Sequence, residues 1–149
     1  MSSHLRKAAV LLPVVGVIVA LSTLSFAQKT GLPKYDMKAE THYAKANVQD
    51  VKDITLPNGQ QRQVLTVKAG DETFDVYLCP KAFLSMMDTT FAKGDVVDIT
   101  ASKVSDSQGN SYVLAREVIK DNNTIVLRDK TGEPAWTWME KEKKSGEGK

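Results

Sequence analysis

Apolar and polar residues alternate in short runs along most of the chain, and Gly, Asn or Asp residues separate the runs. "QVLTVKA", "TFDVYL", "DVVDITAS" and "SYVLAREVI" each carry β-branched or aromatic residues at alternate positions. That period assigns one set of side chains to each face of a strand. "AKANVQDVKDI" and "TIVLR" complete a set of six. The breaks are Asn58-Gly59, Gly70-Asp71, Lys93-Gly94-Asp95, Gly109-Asn110, Asp121-Asn122-Asn123 and Lys130-Thr131-Gly132. Such residues reach positive φ at low cost and suit tight connections. Six short strands at this spacing predict a small barrel or sandwich.

One segment changes period. In "PKAFLSMMDTTF" (80–91), Phe83, Leu84, Met87 and Phe91 fall on one helical face, and Pro80 stands where a helix can begin. The order is then three strands, a helix, two strands and a short extra strand. That order predicts a mostly β fold, an OB-fold-like Greek-key barrel of five to six strands. The helix lies between strands three and four, with Phe83, Leu84 and Met87 plugging one end of the barrel.

The segments "KGDVVDITASKV" and "YVLAREVIKDNNTIVLRDKTGEPAW" resemble the C-terminal half of exported, periplasmic bacterial OB-fold proteins. The resemblance spans roughly 40–136. It rests on Lys93-Gly94-Asp95 before a strand, on Leu114 to Val118, and on Leu127-Arg128-Asp129 through Gly132 to Trp136. It implies a barrel without established catalytic residues, so no functional residue carries over. It also implies glycine before proline where this chain has Cys79-Pro80, which weakens any shared chemical role for the thiol.

Arg6 and Lys7 precede an apolar run from Ala8 to Leu21, and small residues Ser25 and Ala27 follow. This is the pattern of a signal peptide, 1–27, cut after Ala27. Ala8 to Ala27 also gives about 20 mostly apolar residues, enough for an uncleaved anchor. Both readings export the rest, to the periplasm or the outer face of the inner membrane. Membrane contact follows only from the uncleaved form. Residues 28–38 read as a linker, 39–138 as the domain, and 139–149, with "EKEKKSGEGK", as a charged flexible tail.

The leader changes the charge argument. Of the chain's 20 basic residues two lie in it, so 18 bases face 18 acids in the remainder. A neutral domain offers no general field for nucleic acid. The one cysteine, Cys79, excludes an intrachain disulfide.

Candidate chemistry is sparse. Outside the leader there is one cysteine, Cys79, and one histidine, His42. Strand parity places Phe74, Val76 and Leu78 inward, and Thr73, Asp75, Tyr77 and Cys79 outward. It places His42 inward with Ala44, Ala46 and Val48, so thiol and imidazole are expected on different faces. No metal site or cofactor is implied: Cys-x-x-Cys-His, paired histidines and phosphate loops are all absent. Asp106, Gln108 and Asn110 alternate as oxygen donors, but a hairpin turn explains "SDSQGNS" better than a calcium loop. A non-catalytic binding or accessory module is therefore expected. OB-folds commonly bind through strands two and three. Parity turns Arg62, Val64, Thr66 and Lys68 of strand two outward. The candidate ligand contacts are Arg62, Lys68, Asp75 and Tyr77, joined by Tyr43. Trp136 and Trp138 would share a face if extended; they are candidate aromatic contacts or covers for the open end of the core. The expected partner is a protein, glycan or small ligand, nucleic acid being disfavoured by the scarcity of stacking aromatics. The alternatives are a thiol-dependent enzyme or redox protein using Cys79, and a structural accessory of an envelope electron-transfer or metal system.

Overall fold

Every alternating run becomes a strand in the computed structural model, which describes residues 31–146. The strands are β1 (Glu40–Thr55), β2 (Gln61–Ala69), β3 (Glu72–Tyr77), β4 (Val96–Ser105), β5 (Ser111–Lys120) and β6 (Asn123–Val126). Two helices, α1 (Lys81–Met86) and α2 (Thr137–Gly146), complete the chain order. The sheet order is β3-β2-β1-β4-β5-β6, and a parallel β3–β5 pairing closes the first five strands into a barrel. This closed five-strand barrel with a helix between β3 and β4 is the OB-fold arrangement.

The barrel closes because β1 serves two partners. Its first half pairs with β4, Glu40 opposite Ser102, and its second half with β2, Thr55 opposite Gln61. Asn47 pairs on both sides, with Lys68 and Val96. A bulge between Tyr43 and Ala46 bends the strand there. Lys45 takes the left-handed φ of 52°, and its N–H donates to Asp98 Oδ1 at 2.7 Å. The extra residue reverses parity upstream of it. His42, expected inward, is exposed with Nδ1 3.2 Å from Thr100 Oγ1, while Tyr43 packs against the core.

Inside lie Ala46, Val48, Leu65, Val67, Val76, Val97, Ile99, Val113, Ala115 and Val118. The end is plugged by Phe83 and Leu84 of α1 and by Phe91. Helix α1 is shorter than its apolar period implies. Asp88 takes a φ of 50°, and the N–H groups of Met87 and Thr89 both bond back to the Leu84 carbonyl. Met87 ends half-buried against the core. In the β4–β5 turn the Asp106 carboxylate accepts from the N–H groups of Gln108 and Asn110, the Asn110 amide and the Tyr112 hydroxyl.

Both flanks of the barrel differ from expectation. The described part of the linker packs down: Tyr35 is buried with Val104 and Leu114, and Asp36 exchanges two hydrogen bonds with the Ser102 hydroxyl. At the other flank the residues read as a flexible tail from 139 are helical to Gly146, and Glu140 bonds into the barrel. The leader or anchor over 1–27 lies outside the described residues. Among those residues no helix is long and apolar enough to cross a membrane.

Candidate functional site

The β3–β5 closure is short. Only Val76↔Val113 and Tyr77↔Leu114 pair, although β3 begins at Glu72 and β5 at Ser111. Glu72 to Asp75 therefore pair with β2 on one edge and with no strand on the other. Here the seam opens into a groove of about 480 Å³. Tyr43, Phe74, Tyr77 and Val113 form its apolar lining; Glu72, Asp75 and Lys103 add charge.

The groove unites three of the five predicted contacts, Tyr43, Asp75 and Tyr77. Tyr43 lies against Phe74 with ring centroids 4.8 Å apart, and Tyr77 meets Tyr112 edge to face at 5.4 Å. These contacts fix the rings at little further entropic cost on binding. Burial, aided by Glu72 for Tyr43 and by Asp75 for Tyr77, raises both phenols above their ordinary range. They are neutral hydrogen-bonding groups at physiological pH. Asp75 accepts from Thr66 Oγ1 at 2.6 Å and pairs with Lys52 at 3.4 Å. Lys68 is exposed on β2 opposite Thr73 but does not line the groove.

Arg62 does not join them. Arg62 to Leu65 of β2 are all buried, so outward parity did not mean exposure. The Arg62 guanidinium is covered by Glu140 of α2, with Nη1 to Oε1 at 2.6 Å, and lies 5.2 Å from the centre of the Trp136 ring. Trp136 is wholly buried in the core, within 6.0 Å of Phe83, and its Nε1–H donates to Glu140 at 3.1 Å. It covers the barrel end and is no surface contact. Trp138 sits one residue into the helix beyond Thr137 and is exposed, so the two indoles do not form a common extended face.

Cys79, expected at the end of the outer face, is fully buried. Strand alternation stops at Tyr77, and Leu78 and Cys79 both turn inward. Their backbone stays tied to β2: Gln63 N–H donates to the Cys79 carbonyl and Leu78 N–H to the Gln63 carbonyl. Burial pushes the thiol up to about 12, against the pull of Arg62 and Arg128, so it is protonated at neutral pH.

Sequence reasoning missed Tyr35, Glu40, Arg116, Arg128 and Glu140. Arg116 grips Glu40 through Nε at 2.6 Å and Nη2 at 2.8 Å, and the Tyr35 hydroxyl donates to the same carboxylate at 2.6 Å. The Arg116 hydrogen bonds hold the Glu40 carboxyl below its usual range. Arg128 is buried 5.2 Å from the centre of the Trp136 ring and 5.5 Å from that of Tyr35. The readable signal was the spacing of Trp136 and Glu140, four residues apart and so neighbours on a helix.

A family model, that of the MamS/MamX magnetosome protein family, matches residues 40–125, more than half of the chain. The chain belongs to the MamS/MamX magnetosome protein family. The matched stretch runs from the start of β1 into β6 and contains every residue that lines the seam groove. MamS/MamX membership thus attaches to the barrel and its seam; Tyr35, Arg128, Trp136 and Glu140 lie outside the match. No curated protein matches the chain. Among solved structures, two crystal forms of the S. cerevisiae mitochondrial single-stranded DNA binding protein Rim1 are similar to it. One is 9% identical with a TM-score of 0.44, covering 57% of this chain and 95% of that one. The other is 7% identical with a TM-score of 0.43, covering 60% and 98%. The OB-fold assignment rests on the strand order and closure of this barrel.

Proposed function

We propose that this MamS/MamX protein is a non-catalytic accessory module that holds a protein partner of a magnetosome assembly in its seam groove. The carrying observation is that the family match encloses the whole groove. Its chemistry suits an extended segment of a partner. The free edge of β3 over Glu72–Asp75 offers unpaired backbone groups, and strand addition there uses main-chain bonds for affinity. Tyr43, Phe74 and Tyr77 supply rigid apolar anchors for alternate side chains of the added strand, while Glu72, Asp75 and Lys103 select its charge pattern. The module is exported, and its N-terminal segment serves as a leader or as an anchor that keeps the barrel at the membrane face.

The test is photo-crosslinking in the cells that make the protein. A photoreactive residue replaces Thr73, which is exposed and lines the groove, or Lys130, which is exposed beyond the barrel. The expected result is a discrete protein adduct from position 73 that is absent from position 130 and lost when Phe74→Ala is added. Equal products from both positions, or none from 73, would overturn the proposal.

A further inference from the structure

Below the packed N-terminal segment lies a second cavity, of about 280 Å³, away from the groove. Leu32, Pro33, Tyr35, Arg62, Arg128 and Glu133 are among its lining residues, with Lys34 at its rim. Arg128 is only 6% exposed. Its Nη1 donates to the Gly132 carbonyl at 3.1 Å, while its Nε is buried with no partner among the described residues. Gly132 is held at a φ of 87° with the Tyr35 ring against it; a Cβ there would meet that ring at 3.0 Å.

The neighbouring carboxylates are committed elsewhere. Glu140 serves Arg62, Gln60 and Trp136; Glu40 serves Arg116 and Tyr35. Asp129 is turned to Thr131 and the N–H of Glu133. Glu133, the one acid in the lining, attracts Arg128 only from beyond ion-pair distance. Residues 1–30 contain no Asp or Glu, so the preceding segment has no carboxylate to supply. A buried guanidinium without a counter-ion is costly, and aromatic faces offset only part of that cost. Burial and the nearby Arg62, opposed by Tyr35 and Glu133, pull its pKa down to about 10, so the charge persists at neutral pH.

We propose that this cavity is an anion site that takes a phosphate group, carried by a small organic molecule or a lipid headgroup. Arg128 presents the planar fork that oxyanions favour, and Lys34 adds a cation at the rim. Leu32 and Pro33 form an apolar wall for the organic remainder.

The experiment uses the full chain with Trp138→Phe, which leaves Trp136, beside both guanidiniums, as the fluorescent reporter; the chain is in non-ionic detergent for the soluble phosphates and freed of detergent for the vesicles. Inorganic phosphate and glycerol 3-phosphate are titrated against chloride at matched ionic strength. Vesicles containing phosphatidylglycerol are compared with phosphatidylcholine vesicles. Saturable emission change with the soluble phosphates supports the site and a small-molecule source. Change with phosphatidylglycerol alone supports it with a headgroup source. In either case Arg128→Gln abolishes the response, and Arg128→Lys, which loses the fork, weakens affinity about tenfold or more. Should Arg128→Gln fail to fold, the wild-type Arg128 Nε–H resonance decides, because it must shift saturably with whichever phosphate compound changes the emission. No response to either phosphate source, or a response equalled by chloride, retained in the glutamine variant, or unaccompanied by that shift, overturns the proposal.

Discussion

Replacing Glu140 by alanine tests whether α2 is part of the fold. The carboxylate accepts from Arg62 Nη1 at 2.6 Å, Gln60 Nε2 at 2.8 Å and Trp136 Nε1 at 3.1 Å. The Arg62 side chain is 7% exposed and that of Glu140 is 20% exposed. Without Glu140, Arg62 stays buried near a second unpaired guanidinium, that of Arg128. Removing one partner of a buried pair costs about 3–5 kcal/mol, and the partial exposure of Glu140 reduces this to roughly 2–4 kcal/mol. A loss of that size lowers the Tm by roughly 10 °C in a chain of this length. Glu140→Gln keeps an acceptor oxygen and loses only the charge, so it should cost about half as much. The control is Glu142→Ala, two residues on and exposed, expected to lie within about 0.5 kcal/mol of wild type. Urea titration of the full chain, followed by tryptophan fluorescence, measures all three. Pairing Glu140→Ala with Arg62→Met should recover part of the loss, because no orphaned charge remains. If Glu140→Ala behaves like Glu142→Ala, the helix does not dock and the reasoning fails.

Further outcomes follow from two groups whose protonation is linked to folding. Cys79 should label with iodoacetamide at least about a hundredfold more slowly in the native protein than in urea, since reaction requires exposure of a thiolate. Its folded pKa is raised to about 12, so its contribution to stability is complete below the unfolded value of roughly 8.5 and is lost as pH climbs toward 12. Denaturation of Cys79→Ala across that range should show a shallower alkaline decline; an unchanged slope refutes the assignment. Glu40 has the opposite sign: its folded pKa is depressed, so its stabilisation is present above roughly pH 4.3 and disappears as pH falls through the folded value. Glu40→Gln should flatten the acid limb of the stability profile, and an acid limb identical to wild type counts against the Arg116 clamp.

What alternation could reveal was which residues form strands and, away from irregularities, which side of the sheet they take. Phe74, Val76, Leu65 and Val67 follow that rule. His42 breaks it because the bulge at Lys45 adds one residue, and a one-residue slip exchanges faces. Cys79 breaks it because β3 has already ended. Arg62 obeys parity and is buried nonetheless, since parity names a side of the sheet and not what later chain covers it. The covering element, α2, was hidden by its own composition. "EKEKKSGEGK" has no apolar stripe, and the helix docks through Glu140 and Met139 rather than through a broad apolar face. Asp75 and Tyr77 line the groove from the outer side of β3, as alternation places them, whereas Tyr43 reaches it from the core side because the same bulge reverses its parity.

The two cavities differ in what builds them. The seam opens where β3 and β5 part ahead of Val76 and Val113, within residues 40–125, the stretch that the MamS/MamX family model matches. The arginine cavity needs chain from both sides of that stretch: Leu32 to Tyr35 before it, and Arg128 to Pro134 after it. A barrel cut to 40–125 would keep the residues that line the groove and lose Arg128, Trp136 and Glu140, leaving Arg62 without its cover. The flanks are therefore structural closure as well as cavity wall. A ligand bound between them would act on the barrel end where α1 plugs it, because Trp136 touches Phe83 there and lies beside both guanidiniums. That end is joined to the seam through β3 and the two residues after it, which lead from the groove at Glu72 to the buried corner at Cys79.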